Sequence, residues 1–355
     1  MRRRDLLGGL SLVPLAAPAV AQCVVATFPR INLPGRCEGG GDLPSLDLTF
    51  MVPGSLDPRI TFTRASTGTY FDSAGVLRSA ATNAPRWDHD PATLQLRGML
   101  LEEARTNLLL NSATLSTQSV TVTAVAHTLS FYGTGTITKS GVATGALVGT
   151  GATQRVSQTF TPTAGSLTLT VTGTVSNAQI EAGSFATSYI PTTSAAVTRA
   201  VDSCTVPTAN MAWMTGTPGG TWYGEFIATS TQTLPRIIGR IGAGGTAAPM
   251  YVNASRQIIQ FDTTSSMNTV NALTLGAISK AVTTYLSGNS KACLNGGAVA
   301  TSTALTNGYN GLFANGMYLM ASAGPPASEI MTGHLRAVRY WATILSDVQM
   351  QALTS

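Results

Sequence analysis

Short segments in which apolar and polar residues alternate recur along almost the whole chain, separated by turns rich in Gly and Thr. A period of two is typical of strands that bury one face and expose the other. Examples are Leu46/Leu48/Phe50, Val120/Val122 and Leu167/Leu169/Val171. Because these segments do not alternate with long amphipathic helices, a parallel α/β enzyme fold is not expected. The pattern predicts an all-β chain of antiparallel sandwiches.

The alternating segments fall into two groups, and the sequence predicts one sandwich from each. Residues 43–201 would form a module that runs into a jelly roll, and residues 202–355 would form a second sandwich in tandem with it. Residues 22–42 are rich in Pro and Gly and predict a linker. Near the end, Ser346 and Gln349 have the spacing of a capping box, which predicts a short helix over 347–353.

Residues 1–21 have the pattern of an export signal. A basic head precedes a short apolar stretch, and Ala19-Val20-Ala21 is typical of a cleavage site. Arg3-Arg4-Asp5-Leu6-Leu7 fits the twin-arginine signal, although an ordinary secretory leader rich in arginine fits as well. The apolar part is too short to span a membrane, so we expect no membrane span in the mature chain.

Four cysteines lie outside this leader, and their spacing does not fit a zinc site. Export would permit disulfides. Cys23 and Cys37 bracket a short segment and could close a loop. Cys204 and Cys293 are far apart in sequence, and the pattern leaves open whether they pair or remain buried thiols.

The charge pattern argues against a nucleic-acid partner. Only 10% of residues are charged, and the formal net charge is +5. Removal of residues 1–21, which contain three arginines and Asp5, would lower it to +3. The basic residues form no stripe and are not interleaved with aromatic residues, so nucleic-acid binding is not expected.

Few residues carry recognisable chemistry. No Gly-x-Ser-x-Gly elbow is present, and the three histidines are not spaced as metal ligands. Asp88-His89-Asp90-Pro91 is interpreted as an exposed turn rather than an acid–base site. Glu102 and Glu103 are adjacent and would point to opposite faces of a strand, so they cannot flank one glycosidic bond. We therefore expect structural ion pairs of these carboxylates with Arg64, Arg97 or Arg105, and no catalytic residue, metal or cofactor.

Tryptophans are of interest because sugar rings stack on aromatic faces. Trp222 lies mid-strand and is expected in or near the core, and Trp341 ends a strand whose inward side should carry Val338 and Tyr340. Trp213 lies in a Gly/Pro/Thr-rich stretch and is the candidate for an exposed sugar-binding platform. The alternative is that Trp213 packs against its own sheet.

Three long stretches resemble known modules. The stretch at 60–112 runs ITFTRASTGTYFDSAGVLRSAATNAPRWDHDPATLQLRGMLLEEARTNLLLNS and resembles a module of phage and prophage fibres and of head-spike fibres of phages and gene transfer agents. The stretch at 177–202 runs NAQIEAGSFATSYIPTTSAAVTRAVD and resembles the end of the carbohydrate-binding jelly roll that usually follows it. The C-terminal GHLRAVRYWATILSDVQMQALT resembles laminin-G-like, concanavalin-A-like sandwiches.

The resemblance implies a non-catalytic, lectin-like fibre that recognises bacterial surface polysaccharide and works with copies of itself and with other phage-particle proteins. A cleaved leader is unusual for a virion protein, so the location is either exported (periplasm, cell surface or secreted) or on a virion head or tail spike. The laminin-G-like part shows no clear cluster of acidic calcium ligands. The alternatives are a depolymerase or glucanase on the concanavalin-like scaffold and a purely structural virion connector.

Overall fold

The computed structural model describes residues 43–355 except 215–218, 231–233, 242–247, 263, 307–312, 314 and 323–328. These described residues form 26 strands, two short 3-10 turns and one α-helix. All pairings between the strands are antiparallel, apart from one isolated bridge. The predicted all-β fold with antiparallel sandwiches and one short C-terminal helix is confirmed. The predicted leader, linker, Cys23 and Cys37 lie outside the described residues.

The first strands are short and lie before and at the entry to the jelly roll. They are β1 (Leu46–Thr49), β2 (Thr61–Thr63), β3 (Gly68–Phe71), β4 (Leu77–Ala80), β5 (Trp87–His89), β6 (Leu96–Leu101) and β7 (Arg105–Asn107). Strands β3 and β4 form a hairpin.

The jelly roll is formed by β8 (Gln118–Val122), β9 (His127–Gly133), β10 (Thr136–Gly141), β11 (Gly145–Val148), β12 (Gly151–Phe160), β13 (Gly165–Thr172) and β14 (Val175–Ala182). One sheet has the order β11-β10-β13-β8, and the facing sheet has the order β12-β9-β14. Alternate residues of both sheets, such as Leu129, Ile137 and Leu167, are fully buried in one shared core. This is the packing that the period-two pattern predicts.

The remaining strands are β15 (Val197–Arg199), β16 (Ser203–Val206), β17 (Gly220–Ala228), β18 (Arg236–Arg240), β19 (Ala248–Val252), β20 (Gln257–Phe261), β21 (Ser266–Ala272), β22 (Ile278–Tyr285), β23 (Ser290–Leu294), β24 (Ala300–Ser302), β25 (Met317–Leu319) and β26 (Gly333–Trp341). The 3-10 turns are Thr208–Asn210 and Ala212–Met214, and the helix α1 is Asp347–Thr354. The capping box is present, because Ser346 accepts from the backbone N–H of Gln349 and the Gln349 side chain accepts from the N–H of Ser346.

The larger sandwich is not made from residues 202–355 alone. Its first sheet has the order β24-β23-β22-β17-β26-β6-β5, with β1 also paired to β26, and its second has the order β2-β16-β25-β18-β19-β20-β21. Strand β26 has nine residues, whereas β6 has six and β1 has four, so β6 and β1 both lie along one side of it. Gly98 makes the close approach of β6 feasible, because it has φ +126° and a Cβ there would lie 2.5 Å from the carbonyl oxygen of Leu335.

The predicted domain boundary at residue 201 is therefore wrong. Strands β1, β2, β5 and β6 complete the larger sandwich, and Leu46, Leu48 and Met99 lie in one core with Trp222 and Tyr340. The jelly roll is inserted between β6 and β16. The chain enters it through β7 and leaves it through β15, and these two strands pair with each other. Alternation shows that a strand has a buried face, but not which sheet the strand joins.

Helix α1 packs on the outer face of the larger sandwich. Trp341 and Met350 share a small cluster with Cys293, whereas Val338 and Tyr340 face the main core on the other side of the sheet. This arrangement confirms the predicted inward side of β26 and the core position of Trp222. Within the described residues, no helix is long and apolar enough to cross a membrane.

Candidate functional site

A cleft of about 610 Å³ lies where the two sandwiches meet. The larger sandwich contributes the end of β5, the loop after β5 and His334 of β26. The β3–β4 hairpin contributes the end of β3, and the jelly roll contributes Tyr132 of β9, Thr150 and residues 153–155. Residues 186–189, on the path out of the jelly roll, form part of the wall. Clefts at such junctions are frequent ligand sites, because they offer concave surface from two rigid bodies.

Strand β5 brings two buried polar residues to this cleft. Its pairing with β6 shifts register between Asp88 and His89. Both side chains then contact Phe71: Asp88 Oδ1 accepts from the Phe71 N–H at 2.8 Å, and His89 Nδ1 donates to the Phe71 carbonyl at 3.1 Å. The end of β3 is thereby held in a defined position beside the cleft.

His334 reaches the same place from β26. Its Nε2 donates to Asp88 Oδ2 at 2.8 Å, and its side chain is 5% exposed. The other ring nitrogen, Nδ1, is buried and has no hydrogen-bond partner among the described residues. The pair joins the two strands across β6, since β6 lies between β5 and β26 in the sheet.

Aromatic side chains form one wall of the cleft. The rings of Phe71 and Tyr132 meet edge to face, with centroids 5.9 Å apart and planes at 66°. Tyr70 also lines the cleft and is half-buried. Burial raises the pKa of Tyr132, an effect that the charge of Arg155 opposes, so the phenol remains a hydrogen-bond donor at neutral pH. Aromatic surface beside hydroxyl and amide groups is suited to sugar rings, which have apolar faces and many hydroxyls.

Below the cleft lies a buried network of charges. Glu102 is paired with Arg86 at 2.8 Å and with Arg199 at 2.9 Å, and it also accepts from the backbone and hydroxyl of Ser188 at 2.6 Å each. Burial alone would raise the pKa of Glu102, but the charges of Arg199 and Arg86 and the Ser188 hydrogen bonds lower it to about 2. Glu102 therefore stays ionised and fully engaged.

Asp202 extends the network into the larger sandwich. It binds Arg86 at 2.5 Å and Arg64 at 3.1 Å, and accepts from the backbone N–H of Glu102 at 2.9 Å. Arg199 ends β15 and Glu102 follows β6, and these are the two points where the chain passes between the sandwiches. We therefore use the name junction network for Arg64, Arg86, Glu102, Arg199 and Asp202. Buried charges are tolerated only when they are paired and hydrogen-bonded in this way.

The predicted ion pairs are partly corrected by these contacts. Glu103 does pair with Arg105, as expected from their proximity. Glu102 does not pair with Arg64, Arg97 or Arg105: its partners are Arg86 and Arg199, while Arg64 pairs with Asp202 and Arg97 with Asp90. Since these partners come from distant parts of the chain, sequence proximity favoured the wrong arginines for Glu102.

The interpretation of Asp88-His89-Asp90 as an exposed turn is wrong for its first two residues. Asp88 and His89 belong to β5 and are buried, and only the segment from Asp90 onward forms a turn. The alternation of Trp87, Asp88 and His89 is too short to indicate a strand, and His334 lies 246 residues away from Asp88. Neither segment contains a local signal that links it to the other, because the two become neighbours only when the sheet forms.

Trp213 is not an exposed platform. It is partly buried against the core, where its ring lies 5.9 Å from Trp222 and 5.4 Å from Tyr340, and its indole N–H donates to the carbonyl of Asn210 at 2.8 Å. The 3-10 turn Ala212–Met214 folds the Trp213 side chain onto the sandwich. The Gly/Pro/Thr composition around it indicated a loop, but composition does not show which way a loop residue points.

Cys204 and Cys293 are free, buried thiols, and of the two possibilities that the sequence left open, this excludes a disulfide between them. Cys204 lies in the main core and Cys293 in the outer cluster under α1, on opposite sides of a sheet. Burial raises the pKa of both thiols. Within the described parts of the chain, no group of three or more His, Cys, Asp or Glu residues is placed to hold a metal ion.

No protein-family model and no curated protein sequence matches this chain. Among solved structures, the chain is similar to Trypanosoma rangeli sialidase, at 12% identity and a TM-score of 0.36 over 43% of this chain and 25% of the sialidase. The carbohydrate-binding module CBM40 of Ruminococcus gnavus IT-sialidase matches at 13% identity and a TM-score of 0.33, over 39% of this chain and 84% of the module. Leech intramolecular trans-sialidase matches at 16% identity and a TM-score of 0.33, over 41% of this chain and 24% of the enzyme. The chain thus spans about a quarter of the two sialidases, and these scores assign neither family nor activity.

Proposed function

We propose that the protein is a non-catalytic glycan-binding fibre or surface protein of phage type, which recognises bacterial surface polysaccharide through the cleft between its two sandwiches. The observation that carries the proposal is the cleft itself, which combines the aromatic wall of Tyr70, Phe71 and Tyr132 with carboxylates that are all engaged by the protein. The resemblance of residues 60–112 to fibre modules supports the phage origin and the polysaccharide partner.

The engaged carboxylates favour binding over hydrolysis. Glycoside hydrolysis requires two carboxyl groups on either side of the scissile bond, one of which protonates the leaving oxygen. Glu102 is held by two arginines, and Asp88 by His334 and the Phe71 N–H. Asp90 accepts from two backbone N–H groups at 3.0 Å and from Arg97. Each cleft carboxylate therefore has a structural task already.

The acidic residues of the C-terminal third are engaged in the same way, which weakens the alternative of a glucanase or depolymerase on that scaffold. Glu225 pairs with Arg336, Glu329 with Arg236 and Asp347 with Lys291. Asp262 accepts from the backbone of its own turn and Asp202 belongs to the junction network.

The experiment is a pull-down of purified bacterial capsule and lipopolysaccharide fragments with the full chain, with release of reducing ends measured on the same samples. We expect retention of a polysaccharide without release of reducing ends. Tyr70→Ala should weaken retention, whereas Trp213→Ala, an aromatic change outside the cleft, should not. Steady release of reducing ends would favour the enzyme, and failure to retain any fragment would refute glycan recognition.

Location is part of the same proposal. An exported protein should start at Gln22 when isolated from its source, because the signal would be cleaved after Ala21, whereas a particle protein made in the cytoplasm should retain Met1. N-terminal sequencing of the native protein separates the two.

In either location, the affinity of a single site for glycan should be weak, with a dissociation constant of about millimolar to tens of micromolar. Each sugar hydroxyl exchanges a hydrogen bond to water for one to protein, with little net gain. Several copies on one surface would then raise avidity.

A further inference from the structure

One charged group of the cleft has no acidic partner. The side chain of Arg155, on β12, lines the cleft and is half-buried, and no described carboxylate lies within 4.0 Å of its guanidinium. The other charged groups of the cleft are engaged: Arg97 pairs with Asp90, Asp88 accepts from His334 and the Phe71 N–H, and Glu102 pairs with Arg86 and Arg199. Arg155 thus has a positive charge that the site does not neutralise.

The guanidinium is nevertheless held in place. Its Nη2 donates to the Ser130 hydroxyl at 2.7 Å and its Nη1 donates to the carbonyl of Thr187, so neutral acceptors from β9 and from the exit segment fix its plane. Its Nε is buried and has no hydrogen-bond partner among the described residues, so the N–H groups left for a ligand are the second ones of Nη1 and Nη2. Glu181, which also binds Thr187, has its oxygens engaged by Thr187 and Gln179. A planar donor fixed in this way matches the two oxygens of a carboxylate.

The surroundings of Arg155 would strengthen binding of an anion. The junction network beneath the cleft contains three arginines and two carboxylates and so has an excess positive charge. Tyr132 places its phenol close enough for the charge of Arg155 to lower its pKa, against the stronger effect of burial. A sugar bound at Arg155 would thus have a second hydrogen-bond donor nearby for its neutral oxygens. Its carboxylate would lie in a partly desolvated position, where charge pairs are stronger than in water.

We propose that the cleft selects acidic saccharides, and that Arg155 binds the carboxylate of a uronic-acid-type sugar while the aromatic wall contacts the sugar rings. This inference rests on the proposed glycan-binding function and adds the class of ligand to it. Arg155 is the specificity-determining residue, and Tyr132 contributes a hydrogen bond that does not depend on the ligand's charge.

The test compares oligosaccharides of alginate, galacturonate and colanic acid with the same preparations after carbodiimide–borohydride reduction of their carboxyl groups. Binding to the full chain is measured by isothermal titration. We expect at least one acidic preparation to bind about tenfold or more tightly than its reduced form, which corresponds to about 1.4 kcal/mol. Arg155→Gln should abolish that preference, Arg155→Lys should retain part of it, and Tyr132→Phe should weaken both forms equally.

The control variant is Arg256→Gln, which removes the same charge from an exposed turn outside the cleft and should leave the preference unchanged. Thermal melting of each variant shows whether the fold is retained. Equal binding of acidic and reduced forms, or an undiminished preference in Arg155→Gln, would overturn the acidic-ligand inference while glycan binding stands. If neither these probes nor whole bacteria are bound, the proposed function itself fails.

Discussion

The two sandwiches are alike in packing and opposite in chain organisation. The jelly roll is contiguous, because all strands of its two sheets lie between Gln118 and Ala182. The larger sandwich is discontinuous, since its first sheet combines β1, β5 and β6 with strands more than a hundred residues later in the sequence. A contiguous sandwich can form from local pairings, whereas a discontinuous one must bring distant segments together first, at a greater entropic cost.

The largest expected effect comes from cutting the chain at the apparent boundary. A fragment of residues 202–355 lacks β1, β2, β5 and β6, and with them the buried Leu46, Leu48 and Met99. We expect it to lack a cooperative unfolding transition, because β26 would expose one of its edges and the core would be open. Circular dichroism during thermal denaturation measures this.

The matched fragment of residues 104–200 contains the whole jelly roll and should unfold cooperatively. A third chain, in which residues 106–198 are replaced by a short Gly-Ser linker, should retain the larger sandwich, because Arg105 and Arg199 face each other in register. A cooperative transition in the 202–355 fragment would show that the larger sandwich does not need its N-terminal strands and that the comparison drawn above is wrong.

The next largest effect concerns the junction network. Glu102→Gln leaves buried Arg199 without its carboxylate and removes one of the two carboxylates paired with Arg86, and it should lower the free energy of unfolding by about 3–5 kcal/mol at pH 7. Asp347→Asn, at a half-exposed surface pair, should cost less than about 1 kcal/mol. Urea denaturation measures both, and equal losses in the two variants would contradict the importance of the network.

Glu102 should also make the free energy of unfolding depend on pH. The pKa of Glu102 is lowered from 4.5 to about 2 in the folded protein. Because the folded-state value is below the unfolded one, the stabilisation is complete above about pH 4.5 and is lost as the pH falls towards 2. The contribution of Glu102 is about 3 kcal/mol. The pH dependence of unfolding should be correspondingly flatter in Glu102→Gln over this range, and parallel curves for the two proteins would refute it.

A smaller effect is expected at Trp213, which packs on the discontinuous core. Trp213→Ala removes contacts with Trp222 and Tyr340 and should destabilise the larger sandwich by about 2 kcal/mol. Because Trp213 lies outside the cleft, its replacement should not change glycan affinity. Denaturation and titration of the same preparation test the two statements, and weakened binding at unchanged stability would restore Trp213 as a sugar platform.

The smallest expected effect is that of a disulfide-reducing agent on stability. In a chain with Cys23→Ser and Cys37→Ser, a reducing agent should leave the melting temperature unchanged, because Cys204 and Cys293 are free. Cys204 should also resist alkylation until the larger sandwich unfolds, since burial raises its pKa and shields it. A fall in melting temperature on reduction would indicate a disulfide between them.

Strand positions were predictable from sequence to the extent that they depend on local alternation. Leu46/Leu48 and Leu167/Leu169 each indicate one buried face, and the capping box at Ser346 indicates a helix start, because these signals lie within a few residues of each other. Sheet membership was not predictable, since nothing in Leu46 shows that it will lie opposite Tyr340. The junction network and the Asp88–His334 pair were not predictable for the same reason. Each joins residues that come close to each other only after the sheets form.

The paired strands β7 and β15 have a mechanical consequence. A tension applied between residues 43 and 355 would act on the larger sandwich first, where β1 lies beside the end of β26 with Leu46 opposite Tyr340. The jelly roll is joined to that body by two adjacent strands, so the line of force bypasses it as long as those strands remain together. Under such tension, the inserted sandwich and the Arg155 side of the cleft would remain unloaded.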